Sequence, residues 1–238
     1  MTQELNTLKQ WISEAKKIVF FGGAGVSTES GIKDFRSKDG LYSMKFKYPP
    51  ETMLSHTFYE DHTLEFFEFY RDKLMPMDAK PNPAHYKLAQ WEDEGKLLAV
   101  ITQNVDGLHT MAGSKTVYEL HGSYLRNYCE RCGKSYSAQF IKDAPGVPHC
   151  TCGGIVKPDV VLYEESLDDQ VMLKAVKAIG AADVFIIGGT SLTVYPAAGL
   201  IRYYQGKRLV LINRDETPYD SKADLVLHEP IGQVFSQL

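Results

Sequence analysis

The chain has 238 residues, 44% of them hydrophobic and 24% charged, proportions that suit one sizeable globular domain, or one plus a small module, with a substantial core. Its formal net charge of -4 is dispersed, and no Lys/Arg-rich run supplies the footprint of sequence-independent nucleic-acid binding, which argues against a direct nucleic-acid partner. No apolar run approaches the roughly 18 residues of a membrane span, and the opening MTQELNTLKQWISEAKK is polar rather than signal-like, so the expectation is a soluble, cytoplasmic protein without a membrane partner.

Leu5, Leu8, Ile12 and Ala15 recur at helical spacing, and Ile18 to Phe21 is a short apolar run ending in glycines, which predicts helix, buried strand and turn. In that turn, Gly22-Gly23-Ala24-Gly25-Val26-Ser27-Thr28-Glu29-Ser30-Gly31, backbone amides and a helix N-terminus can receive a pyrophosphate, and glycines leave room for its approach. As a dehydrogenase fingerprint the match is poor. Thr28 takes the third glycine position, and no second strand ends in an acidic residue about twenty residues on. A purely structural turn is the alternative. Asp34-Phe35-Arg36 then places a carboxylate, a ring and a guanidinium in one stretch, a set able to enclose a cationic aromatic group beside phosphates.

Ser37 to Pro81 is rich in aromatics and reads as a helical insertion. Asn82-Pro83 is a cap and first position for a helix over Ala84 to Glu94, stopped by Gly95, and a strand follows over Leu98 to Ile101. Thr102-Gln103-Asn104-Val105-Asp106-Gly107-Leu108-His109 therefore lies at the carboxyl edge of a strand, where open α/β sheets bind ligands, although a capped loop would look the same. His121 follows an apolar stretch containing Val117 and Leu120. An imidazole there can serve as a general base or simply as a packing residue.

Cys129-x2-Cys132 and Cys150-x-Cys152, separated by seventeen residues with Gly133, Gly153 and Gly154 at the turns, have the spacing of a tetrahedral zinc ribbon. Four thiolates would close the coordination sphere, so the predicted Zn2+ is structural. His149 beside the tighter second pair is an alternative ligand. Further short apolar runs occupy Val160 to Tyr163, Val184 to Gly188, Leu209 to Ile212 and Leu225 to Leu227, and Pro196 can open a helix ending at Gly206. The alternation predicts an α/β fold. It is a Rossmann-like parallel sheet built from about 1–36, 82–121 and 157–238, with a helical insertion at 37–81 and a small zinc module at 122–156.

Several strings, in order along nearly the whole chain, resemble the sirtuin family: GAGVSTESGIKDFRS, TQNVDGLH, ELHG, the paired cysteines, VVLYEE and GTSLTVYPA. The resemblance implies an NAD-dependent protein lysine deacylase. Its expected NAD contacts are Gly23, Ala24, Thr28, Phe35, Arg36, Gln103, Asn104, Val105, Asp106, His121, Gly188, Thr190, Ser191, Asn213 and Ile231. The same likeness makes His121 the general base, with Asn104 and Asp106 in the catalytic set, and gives Val161, Tyr163 and Val194 to the acyl-lysine peptide. NAD would be cleaved to nicotinamide and the acyl group passed to ADP-ribose, giving O-acyl-ADP-ribose and free lysine. Two departures stand out: Lys33 replaces a usual proline, and Tyr163-Glu164-Glu165 replaces the Phe-Gly-Glu of many members, placing a carboxylate beside the expected peptide path. Phe66 to Arg71 lacks the Tyr-x-x-Arg pair of acid-selective sirtuins, so acetyl and other uncharged short acyl groups are expected over succinyl. A mono-ADP-ribosyltransferase using the same cleavage, and a non-enzymatic NAD sensor or zinc scaffold, are the rival readings.

Overall fold

The computed structural model describes residues 2–36 and 40–238, so the first residues of the expected helical insertion, Ser37 to Asp39, lie outside the described residues. The element order is α1 (Thr2–Glu14), β1 (Ile18–Gly22), α2 (Pro50–Met53), α3 (His56–Asp61), α4 (Thr63–Lys73), α5 (Pro83–Asp93), β2 (Leu97–Thr102), α6 (Leu108–Met111) and β3 (Val117–Glu119). There follow β4 (Gly122–Cys129), β5 (Ser135–Tyr136), α7 (Ala138–Asp143), β6 (Val156–Val160), α8 (Asp169–Ala181), β7 (Val184–Gly188), β8 (Leu209–Ile212), β9 (Leu225–Leu227) and α9 (Ile231–Phe235).

Six strands form one sheet in the order β3-β2-β1-β7-β8-β9, with every pairing parallel. Counted within the sheet, this is the doubly wound order 3-2-1-4-5-6, and the chain reverses direction of growth between β1 and β7. Both of those strands are buried along their whole length, as strands covered on two faces must be. Alternate side chains of β1 enter different cores. Ile18 and Phe20 join Leu8, Leu88, Trp91 and Phe235 on the face of α1, α5 and α9, whereas Val19 and Phe21 join Ala175, Ile179, Leu200 and Ile201 on the other. The start of α5 is fixed by a capping box: the Asn82 side chain accepts from Ala84 N at 3.0 Å and the His85 ring accepts from Asn82 N at 3.2 Å.

The remaining strands make a separate sheet, β5-β4-β6, antiparallel throughout. Val160 to Tyr163, expected as a strand of the parallel sheet, is corrected here. Val160 ends β6 and pairs with Gly122, the Val161 amide donates to His121 O at 3.0 Å, and Tyr163 bridges Ser55. An apolar run specifies a strand but not the sheet that receives it. The helix expected from Pro196 is a 3-10 helix over Ala197–Tyr203, where Gly199 and Ile201 give little intrinsic α preference. A third core unites the two insertions: Phe66, Phe67 and Tyr70 of α4 pack with Tyr124, Cys129, Ile141, Cys150 and Val156. Among the described residues, no helix is long and apolar enough to cross a membrane.

Candidate active site

The carboxyl ends of β1 and β7 lie side by side, Gly22 opposite Gly188, and each runs into a glycine-rich turn. The two turns are in backbone contact. Gly23 N donates to Gly188 O at 3.2 Å and Gly25 N to Gly189 O at 2.8 Å. A Cβ on Gly25 would stand 2.7 Å from the Gly189 Cα, so that glycine is demanded by turn-on-turn packing rather than by room for a ligand. Ala24 stays partly open, while Thr28 is exposed and donates to Gly25 O.

The end of β2 closes on this junction from the other side. Gln103 N donates to Gly22 O at 3.0 Å, and Gln103 Nε2 donates to Thr190 Oγ1 at 3.0 Å. Because Thr190 Oγ1 also accepts from Leu192 N, its own proton remains available to an anionic oxygen. Ser191 Oγ pairs with Thr193 Oγ1, Asn213 N donates to Leu227 O just beyond β8, and Ile231 packs over Gly188 with its Cδ1 2.2 Å from where a Cβ would stand. Asn213 Nδ2 is engaged by Asp215 O at 2.7 Å.

Beneath these turns runs a buried polar chain: Asn104 Nδ2 donates to Ser27 Oγ at 3.1 Å, and Ser27 Oγ donates to Asp106 Oδ2 at 2.6 Å. Asp106 Oδ1 accepts from Leu108 N, and burial raises its carboxyl titration against those two hydrogen bonds. Ser27, 1% exposed, is a residue that sequence reading passed over. It sits inside the glycine-rich string, but its partners are 77 and 79 residues away.

His121 stands where β3 gives way to β4. Its Nδ1 lies 2.9 Å from Gln103 O. A carbonyl only accepts, so Nδ1 carries the proton and Nε2 keeps its lone pair. Burial pulls the imidazole below its usual range, with the Gln103 contact opposing. The structure thus brings His121, Gln103, Asn104, Asp106, Thr190 and both glycine turns to one edge of the sheet, and Val105 O joins that edge to β4 by accepting from Tyr124 N. Phe35 and Arg36 are held instead by Tyr42, edge-on at 5.7 Å and over its ring at 5.0 Å, and Val194 opens the 3-10 helix by accepting from Ala198 N.

The four cysteine sulfurs lie within 4.8 Å of one another, and Cys129–Cys152 and Cys132–Cys150 are separated by 3.5 and 3.6 Å. These separations far exceed a disulfide bond of about 2.05 Å and approach the edge of about 3.8 Å that a tetrahedron with zinc–sulfur bonds of about 2.3 Å would have. Four thiols with no fifth ligating side chain in the group fit a closed Zn2+ site. His149 is exposed, its backbone bridges Ile155, and it is not among the four clustered ligands.

A doubly wound parallel sheet whose switch point carries hydrogen-bonding turns, a buried carboxylate and an imidazole with a free lone pair defines a nucleotide-using α/β enzyme. The model of the Sir2 family matches residues 23–196, and the chain belongs to that family. It is 61% identical to an NAD-dependent protein deacetylase of Clostridium acetobutylicum over 98% of this chain and 97% of that protein. It is 59% identical to one of Clostridium perfringens over 100% and 99%. Among solved structures, a Sir2 complex with p53 peptide and NAD+ aligns with a TM-score of 0.86 at 38% identity, covering 98% of this chain and 96% of that one. A Sir2 variant with deacetylated p53 peptide and 3'-O-acetyl ADP ribose aligns at 0.90 with 38% identity, over 98% and 96%.

Proposed function

We propose that this chain is an NAD-dependent protein lysine deacetylase in which His121 is the general base and the edge formed by β1, β2 and β7 holds NAD. The observation that carries the reading is the His121 ring: neutral, committed at Nδ1 to the carbonyl of Gln103, the residue next to Asn104 of the Asn104–Ser27–Asp106 chain, and keeping Nε2 as an acceptor. When bound, NAD supplies a nicotinamide–ribose bond whose cleavage opens the ribose to the acyl oxygen. The Thr190 hydroxyl would face the phosphates together with Ala24 and Ser191, while Gly23, Thr28 and Gly188, whose turns are tied by their own hydrogen bonds, would shape the cradle, with Asn213 and Ile231 toward the adenosine end. Asp106, already oriented by Ser27 and Leu108, has acceptor capacity left for a carboxamide N–H, and Asn104 and Gln103 hold the ribose side with Val105. Phe35 and Arg36 would cover the leaving group, and His121 Nε2 would take the proton of the ribose hydroxyl that completes acyl transfer.

Val161, Tyr163 and Val194 are the proposed walls for the acyl-lysine peptide. Glu164, next to that wall in the chain, is exposed and anchored through one oxygen, Oε2, so its charge remains available to basic flanks. Its carboxylate accepts from Thr57 N at 2.9 Å and Thr57 Oγ1 at 2.8 Å, which holds it below its usual range. Arg71 is engaged inside the fold, donating to Gly146 O at 2.8 Å, which weighs against its serving an acidic acyl group. The test is a panel of acyl-lysine peptides with NAD, read by product mass. Acetyl-lysine should be converted faster than succinyl-lysine, with nicotinamide and O-acetyl-ADP-ribose formed in equal amounts. ADP-ribose appearing on protein without acyl transfer would support the transferase reading instead.

A further inference from the structure

Tyr163 is where the peptide-wall segment departs from the family's phenylalanine, and its added hydroxyl has a partner: the phenolic oxygens of Tyr163 and Tyr42 are 2.6 Å apart. Burial, and after it the Tyr163 hydroxyl, raise the Tyr42 titration, so Tyr42 enters the contact as a neutral phenol.

Tyr42 is built into the segment that carries Phe35 and Arg36. Leu41 N donates to Asp34 O and Tyr42 N to Phe35 O, both at 2.8 Å. Gly40 permits this approach, since a Cβ there would stand 2.8 Å from Phe35 O. The Tyr42 ring meets Phe35 edge-on at 5.7 Å and lies under the Arg36 guanidinium at 5.0 Å. Tyr163 is anchored just as firmly at its backbone: its N–H donates to Leu54 O and its carbonyl accepts from His56 N, both at 3.0 Å. Two residues earlier, the Val161 amide donates to His121 O. One pair of hydroxyls therefore joins the expected peptide wall to the residues expected over the nicotinamide.

We propose that the Tyr42–Tyr163 pair is a positioning latch that couples acyl-peptide binding to the placement of Phe35 and Arg36, an inference that rests on the peptide and NAD assignments above. Tyr163 is 37% exposed, and a peptide lying along Val161 to Tyr163 would cover it and hold its hydroxyl against Tyr42. Tyr42 then fixes Phe35 through the ring edge and Arg36 through the cation–π contact. By linkage, NAD strengthens peptide binding by the same factor as the peptide strengthens NAD binding.

The experiment titrates a non-cleavable carba-NAD into the zinc-loaded full chain, with and without saturating acetyl-lysine peptide, for wild type, Tyr42→Phe, Tyr163→Phe and the double variant. Each substitution removes one oxygen and keeps the ring. Peptide should tighten analogue binding roughly fivefold in wild type, the worth of one hydrogen bond between neutral groups, and each single variant should lose most of that gain. The double variant should lose no more than either single one, because both remove the same bond. Full coupling in either single variant, additive losses in the double, or no coupling in wild type would overturn the latch. Since the readout is binding without turnover, coupling that persists in a protein unable to deacetylate would sink the deacetylase reading and leave the latch standing.

Discussion

At neutral pH the His121 imidazole is uncharged, and its one N–H is already used on Gln103 O, so Nε2 is poised as an acceptor with no tautomer change. His121→Ala should lower release of free lysine by roughly 100-fold or more. Exchange of labelled nicotinamide into NAD in the presence of acetyl peptide should remain measurable, because it needs only positioned substrates. In wild type the acid limb of the rate should fall below the ordinary histidine range: the buried base has a lowered titration and stays neutral to lower pH. Wild-type deacetylation in folded His121→Ala would return His121 to a packing role. The sequence made His121 visible through its ELHG setting, but not its tautomer, which depends on a carbonyl eighteen residues back along the chain. Ser27 was less legible still. Its neighbours in sequence, Val26 and Thr28, give no sign of the contact, and the pairing of β1 with β2 brings it to Asn104 and Asp106.

The strands of the parallel sheet were readable because five of the six are short apolar runs set off by glycine, polar turns or caps, whereas β3, three half-buried residues at the edge, carries no such signature. The junction from β3 to β4 is the element on which the site most depends. Gly122 has φ +76°, and a Cβ there would lie 1.9 Å from Asp159 O, inside the pairing of β4 with β6. Arg126 braces the same junction, donating to Glu119 at 2.6 Å and to Asp159 at 2.7 Å. Gly122→Ala must therefore shift β6 as well as strain its own backbone, and a loss of about 2–4 kcal/mol in denaturant unfolding is expected. Activity should fall further than stability alone explains, since His121 is the adjacent residue and Val161 hangs on its carbonyl. A change below about 0.5 kcal/mol, the range of an ordinary surface substitution, would show that the turn has room.

Among the described residues, the hydrophobic interior is divided among three clusters, one of which contains the metal-site cysteines. The two faces of the parallel sheet are covered by α1, α5 and α9 and by α8, with no cysteine in either. In the third cluster, Cys129 and Cys150 are buried among Phe66, Phe67, Tyr70, Ile141 and Val156. Zinc held by the four cysteines would tie the end of β4 to the turn before β6 and so support the helices of this third cluster. A bound metal that meets its ligands only in the folded state adds its binding free energy to folding. Removing it with a chelator should therefore act on a unit rather than on the whole chain. Hydrogen exchange followed by mass spectrometry should show amides of α3, α4, α7, β4 and β6 losing protection first, while β1, β7 and β8 remain protected under the same conditions. Deacetylation should be lost with the first group, because His121 lies at the start of β4 and the proposed peptide wall follows β6. Restored zinc should return both protection and activity. Unchanged exchange in α3 and α4 after complete metal removal would mean that the third core holds without zinc, and simultaneous loss in all strands would mean that the sheet cannot stand without the unit inserted into it.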